Sequence, residues 1–272
     1  MPEILLQVRP GNSKGHLNDT FRIAEKAGFD GVELDCSHLE ISSEDIYVSS
    51  VDYNMPVKSI IVPQATFKKP MHYLLHGDMD AHLVFHTFQP KIIVFGIPHT
   101  PILRDLSTYM FRDRVLYFKE LYSNAPLCIE NGAPSGSLGV QPIMDIKKIR
   151  DFCYEHDVFM AFDISNCAAS GRDIIQTYDM IWPRIKCVHI GDYGGRSGTG
   201  HRTPGEGLLP LGRLFSRMAA NNFNGLISVE LNEAELADKD ESDVIVLYKE
   251  LIGFVKSRME KAMVKSNDLH KK

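Results

Sequence analysis

The stretch PIMDIKKIRDFCYEHDVFMAFD, residues 142–163, carries two periods in succession. Across Pro142–His156 the apolar residues Ile143, Ile146, Ile149 and Phe152 recur every three positions, which lays them along one helix face. From Val158 to Asp163 the pattern becomes a short apolar run closed by one carboxylate, as in a strand buried on both faces with a polar end. A helix leading directly into such a strand is one unit of a parallel sheet with helical crossovers.

The unit recurs in both directions along the chain. Ile4–Val8, Gly31–Leu34, Val57–Val62, Lys91–Ile97, Leu127–Glu130, Ile185–Ile190 and Leu226–Leu231 supply seven further strands. Each is followed by a helix or a segment long enough for one. Among these are His16–Ala27, stopped by Gly28, a residue suited to a left-handed cap, and Ser242–Met263 after the last strand. Eight repeats in 272 residues fit the α/β class as a single (β/α)8 TIM barrel, which takes about 250 residues. A doubly wound open sheet is the alternative, but it usually opens with a phosphate loop, and RPGNSKGH after the first strand does not match G-x-G-x-x-G. No linker divides the chain. The expected organisation is a barrel over residues 1–264 and a charged tail over 265–272.

The formal net charge is −5, with none of the basic excess of a nucleic-acid binder. Cys36, Cys128, Cys153, Cys167 and Cys187 are odd in number and form no C-x-x-C pair, as expected of reduced thiols in a cytoplasmic protein. MPEILLQVRP lacks the features of a signal peptide, and no apolar run reaches the ~18–20 residues of a membrane span. The expectation is a soluble protein without nucleic-acid or membrane partners, with a homo-oligomer left open.

Barrel enzymes place their chemistry at the C-terminal strand ends. Strand 5 ends at Glu130 in PLCIENG, strand 6 at Asp163 in FMAFDISN, strand 7 carries His189 in IKCVHIGD, and strand 8 carries Glu230 in GLISVELNE. Buried carboxylates repel one another unless a cation or protons neutralise them. Three carboxylates and one imidazole suit one divalent ion, with Mn²⁺ placed ahead of Zn²⁺, Co²⁺ or Mg²⁺. The strand period of two turns Cys128, Ala161, Cys187 and Ser228 inward as well. All four are small, leaving room for the ligands above them to converge.

These ordered segments, IENG, FDIS, VHIGD and SVELN, together with GFDGVELD at strand 2 and HRTPGEG at residues 201–207, resemble the xylose-isomerase-like TIM-barrel superfamily. That group includes sugar and sugar-phosphate isomerases and epimerases, inosose and dehydroshikimate dehydratases, and endonuclease IV-type repair enzymes. The resemblance covers nearly the whole chain. Many members carry a histidine three residues after the strand-6 aspartate, where this chain has Asn166. That departure points to a single-metal centre rather than a trinuclear one.

What the resemblance implies is a metal-dependent isomerase or epimerase working through an enediolate on a small carbohydrate or polyol. A dehydratase is the alternative on the same scaffold; an endonuclease and a non-enzymatic barrel rank lower. It implies Glu130 and Glu230 as proton carriers and ligands, and Asp163 and His189 as ligands. Asn166, Arg196, His201 and Glu206 would contact substrate, and Glu33 and His99 would line the pocket. The histidines at 72, 76, 82 and 86 read as one face of a helix.

Overall fold

The computed structural model describes residues 1–10, 14–36, 41–62, 79–100, 104–135, 139–194 and 199–269. Its strands are β1 (Glu3–Val8), β2 (Gly31–Asp35), β3 (Val57–Val62), β4 (Ile92–Gly96), β5 (Leu127–Glu130), β6 (Phe159–Asp163), β7 (Ile185–Ile190) and β8 (Leu226–Val229). They pair in chain order, all parallel, and β8 returns to β1 to close the barrel. The helices are α1 (Lys14–Ala27), α2 (Ser43–Asp52), α3 (Met79–Phe88), α4 (Arg104–Leu121), α5 (Ile146–Glu155), α6 (Ile164–Ala169), α7 (Ile174–Ile181), α8 (Leu211–Ala220) and α9 (Glu241–Leu269).

Strand parity divides the core in two. Leu5, Ile61, Ile92, Val94, Cys128, Ala161, Cys187 and Leu226 fill the barrel interior as one cluster. The alternate residues, among them Leu6, Leu34, Ile60, Ile93, Phe95, Ile129, Phe162 and Ile227, face outward and join the helices in the larger core. This two-sided burial is why the strands read as nearly continuous apolar runs. The five cysteines are buried and lie outside any disulfide. No described helix is long and apolar enough to cross a membrane.

Several boundaries differ from the sequence reading, two helix ends most of all. Helix α5 starts at Ile146, not Pro142, because the Asp145 carboxylate accepts the N–H groups of Lys147 and Lys148 at 2.9 and 3.1 Å and fixes the cap there. Helix α9 continues to Leu269, past Met263, where the last helix was expected to end. At the N-terminal end of the barrel, Glu3 receives Lys58 at 2.8 Å and Lys91 at 2.7 Å, joining β1 to β3 and to the start of β4. The opposite end is left to the loops that follow the strands.

Of the histidine face, His72 and His76 lie outside the described residues. His82, on α3, stacks on Phe118 with ring centroids 5.0 Å apart and touches Tyr122, which makes it part of an aromatic packing cluster.

Candidate metal centre

Parity brings the four strand-end side chains to one point. Cys128, Ala161, Cys187 and Ser228, two residues before each of them, are all completely buried. Above that layer, one ligand-type atom from each of Glu130, Asp163, His189 and Glu230 lies within 4.8 Å of the other three. His189 Nδ1 is 2.8 Å from Glu130 Oε1 and 3.9 Å from Glu230 Oε2.

The backbone around the cluster is tied down locally. The Asp163 carboxylate caps α6, with Oδ1 accepting the Asn166 N–H at 2.7 Å. Its Oδ2 is left buried without a hydrogen-bond partner. The ends of β5 and β6 are clamped by Asn131, whose amide donates to the Asp163 carbonyl at 2.8 Å and accepts the Asp163 N–H at 2.9 Å.

Asp192 organises the loop after β7. This buried carboxylate accepts the N–H groups of Tyr193, Gly205 and Leu209, at 2.8, 2.9 and 3.0 Å. Its backbone pairs with that of Arg202. The loop thereby places His201 over the site. His201 has a left-handed backbone, φ 54°, held because its N–H donates to Ser165 Oγ at 2.7 Å and its carbonyl accepts the Asn232 N–H at 2.7 Å. Its ring lies between two ligand carboxylates, with Nε2 3.8 Å from Asp163 Oδ2 and Nδ1 3.6 Å from Glu230 Oε2.

The electrostatics are those of crowded buried acids. Burial pushes the Glu230 carboxyl up; Asp163 and Glu130 add to this against the pull of His201 and His189, and the group settles at about 7. Burial likewise raises Glu130, against the pull of His189. Burial alone would depress His189, but Glu33 and Glu130 on its two sides hold it well above the ordinary histidine value. Burial would raise Glu33, but the charge of His189 outweighs it and the carboxyl lies below its usual range.

The other residues singled out in the sequence divide. His201 is in the cluster. Asn166 is adjacent, but its amide donates to the Asn131 carbonyl at 3.2 Å, so it is committed to the β5 loop. Glu33 is not at the mouth. Strand β2 runs to Asp35, so Glu33 sits one inward position deeper, fully buried, with Oε1 3.0 Å from His189 Nε2. Its expected place in the pocket lining gives way to a buried contact with His189. His99 binds the Ala133 carbonyl through Nε2 at 2.6 Å and joins two loops. Glu206 is exposed and faces Arg202 at 3.8 Å, because the Asp192 turn directs it to solvent. Arg196 lies outside the described residues.

Two site residues were missed. The Arg9 guanidinium, at the end of β1, donates to Glu230 Oε1 at 2.6 Å and lies 3.4 Å from Asp35 Oδ2. A cavity of about 300 Å³ opens there, lined by Arg9, His201, Glu230, Leu231, Asn232 and Glu233. The strand-end rule finds both when applied to β1 and β2: QVRP ends in Arg9, and VELD ends in Asp35, not Glu33.

The donor set fits a divalent cation. A buried carboxylate oxygen without a donor, two carboxyls raised by burial and by their acidic neighbours, and an imidazole nitrogen aimed into the same space are what a cation between them would relieve. Glu130, Asp163, His189 and Glu230 would hold it.

Known proteins agree with this architecture. The structure is similar to 3-keto-D-glucoside 4-epimerase from E. coli, with a TM-score of 0.68 at 19% identity over 94% of this chain and 100% of the other. D-allulose 3-epimerase from Methylomonas sp. gives 0.72 at 14%, over 94% and 97%. A probable 3-DHS dehydratase from Bacillus anthracis gives 0.67 at 13%, over 91% and 98%. At these identities the likeness is one of fold. No curated protein matches the chain. The model of the xylose isomerase-like TIM barrel family matches residues 118–255, just over half of the chain and a span that includes Glu130, Asp163, His189 and Glu230. The chain belongs to the xylose isomerase-like TIM barrel family.

Proposed function

We propose that this protein is a divalent-metal-dependent isomerase or epimerase acting on a sugar or sugar phosphate. The observation that carries the reading is the convergence of Glu130, Asp163, His189 and Glu230 within 4.8 Å at the mouth of the barrel. Epimerases of 3-keto-D-glucoside and D-allulose on the same fold support it.

A cation held by Glu130, Asp163, His189 and Glu230 would supply Lewis-acid stabilisation of charge at the substrate carbonyl; Mn²⁺ is the ion proposed first. The remaining chemistry belongs to the side chains. Glu230 lines the cavity and takes the proton from the carbon beside the carbonyl. Arg9 holds Glu230 Oε1, which leaves Oε2 for the reaction. Glu130 returns a proton from the other face. Return to the same carbon inverts it; return to the former carbonyl carbon, with the neighbouring hydroxyl proton passing to the former carbonyl oxygen, gives the aldose–ketose pair. Either way one proton leaves carbon and one arrives, with no net redox change.

The test is a screen of Mn²⁺-loaded protein against ketoses, ketose phosphates, inososes and dehydroshikimate in deuterated water. Deuterium on carbon beside the carbonyl, lost in Glu230→Gln, is the expected result. Loss of water from the substrate would move the reading to a dehydratase. No exchange with any of these substrates would contradict it.

A further inference from the structure

Glu33 is a carboxylate inside the barrel, where Ser59, Cys187 and His189 lie against it. Elsewhere the barrel interior is filled by apolar residues such as Leu5, Ile61, Ile92 and Val94. Glu33 is completely buried. It lies beneath His189 and does not line the cavity, so contact with substrate does not account for an acid there.

The atoms around it do. Glu33 Oε2 accepts the Ser59 hydroxyl at 2.6 Å and has the Cys187 thiol at 3.9 Å, which fixes the plane of the carboxylate. The other oxygen, Oε1, has no hydrogen-bond partner but lies 3.0 Å from His189 Nε2, a buried nitrogen equally without one. The opposite ring nitrogen, Nδ1, faces Glu130 and Glu230. His189 therefore spans two layers, one nitrogen in the ligand cluster and one toward Glu33.

A neutral imidazole carries one N–H and one lone pair. For Nδ1 to bind a cation it must be bare, which puts the proton on Nε2, where it needs an acceptor away from water. Glu33 Oε1, 3.0 Å from Nε2, is the acceptor within reach, and the two need only be brought into line. An apolar side chain would leave the N–H buried and unpaired and would leave the tautomer and the ring plane unspecified.

We propose that Glu33 is a positioning residue that sets the tautomer and orientation of His189, so that Nδ1 is presented to the metal, with Ser59 holding Glu33 in turn. This rests on His189 being a ligand, as in the function proposed above. The residue acts on metal binding and not on substrate recognition.

The test compares wild type with Glu33→Gln, Glu33→Met and His189→Ala, each first shown to be folded by its unfolding transition. The primary readout is affinity for Mn²⁺ alone, measured by calorimetry with chelator competition. The second is the His189 tautomer in Zn²⁺-loaded protein, read from long-range ¹H–¹⁵N couplings of ¹⁵N-histidine. Met fills the volume of Glu without an acceptor; Gln keeps a carbonyl that can accept. Glu33→Met is expected to weaken Mn²⁺ binding by about 10- to 100-fold and Glu33→Gln by less, with substrate KM at saturating metal little changed. Wild type should show protonated Nε2. Mn²⁺ affinity in Glu33→Met equal to wild type, or a protonated Nδ1 in the wild-type Zn²⁺ form, overturns the proposal. If His189→Ala also binds Mn²⁺ like wild type, the assignment of His189 as a ligand fails as well. If only His189→Ala weakens binding, that assignment stands and the role of Glu33 falls.

Discussion

The Arg9 guanidinium meets Glu230 Oε1 at 2.6 Å, joining the end of the first strand to the residue that follows the last. The same side chain lies 3.4 Å from Asp35, so one arginine ties three strand ends together beside the cavity. Lysine cannot reproduce that fork, because its charge is a single point. Arg9→Lys should retain its metal yet turn over about 10-fold more slowly, a loss of ~1.4 kcal/mol in transition-state stabilisation. Steady-state kinetics with metal content measured on the same samples checks this; an unchanged kcat would separate Arg9 from the chemistry.

Without metal, the crowded acids make stability depend on pH in a fixed direction. The Glu230 carboxyl is raised from 4.5 to about 7 by burial, so the folded state holds its proton more tightly than the unfolded chain does. The associated stability is complete below about 4.5 and is lost as pH rises to about 7. Glu130, also raised, acts in the same sense. His189, raised by its carboxylate neighbours, loses its contribution above the ordinary histidine value, again as pH rises. Glu33 is lowered and acts in the opposite sense, but only below 4.5. Metal-free protein should therefore be less stable to urea at pH 8 than at pH 5, and Glu230→Gln should flatten part of that slope. Excess Mn²⁺ should reverse the trend, because it binds the deprotonated set.

Room for the ligands depends on small residues beneath them. Ala161 pairs in register with Glu130 on one side and Cys187 on the other, and is completely buried. Ala161→Leu should cost roughly 1–3 kcal/mol through overpacking and should lower metal occupancy. Urea unfolding and elemental analysis read the two effects separately; a stable variant with full occupancy would show that small residues are not required there.

Gly191 is constrained by backbone on two sides. A Cβ there would lie 2.7 Å from the Glu230 carbonyl oxygen and 2.8 Å from the His201 Cα. Gly191→Ala must therefore move the β8 end or the His201 loop. The expected result is lower activity and a lower melting temperature together, compared by kinetics and calorimetry against a Gly253→Ala control, whose Cβ meets nothing within 4 Å.

Much of this was legible because the barrel buries its strands on both faces. An apolar run such as IKCVHI has one reading, and its single histidine stands out. Depth was harder. Glu33 and Asp35 share the inward parity of β2, and only the closed barrel shows that one faces Arg9 while the other lies under His189. Loop directions were not legible either. Glu206 and His201 belong to one motif, yet the Asp192 carboxylate, by accepting three N–H groups along the loop, turns one to solvent and the other onto the cluster. Such a fold-back depends on contacts that spacing does not encode. Arg9 carries no distinguishing signal in the sequence, because an arginine just after an apolar strand has its partners fixed only when β8 closes beside β1.

The central claim is that Glu130, Asp163, His189 and Glu230 form a metal site. It is tested most directly by elemental analysis of the protein after stripping, reconstitution with Mn²⁺ and removal of free ion, with Asp163→Asn measured in parallel. The account predicts one tightly held ion per chain in the wild type and substantially less in Asp163→Asn, whose buried Oδ2 would be replaced. Wild-type protein that retains no ion under any reconstitution condition, or an Asp163→Asn variant that retains it equally well, would contradict it.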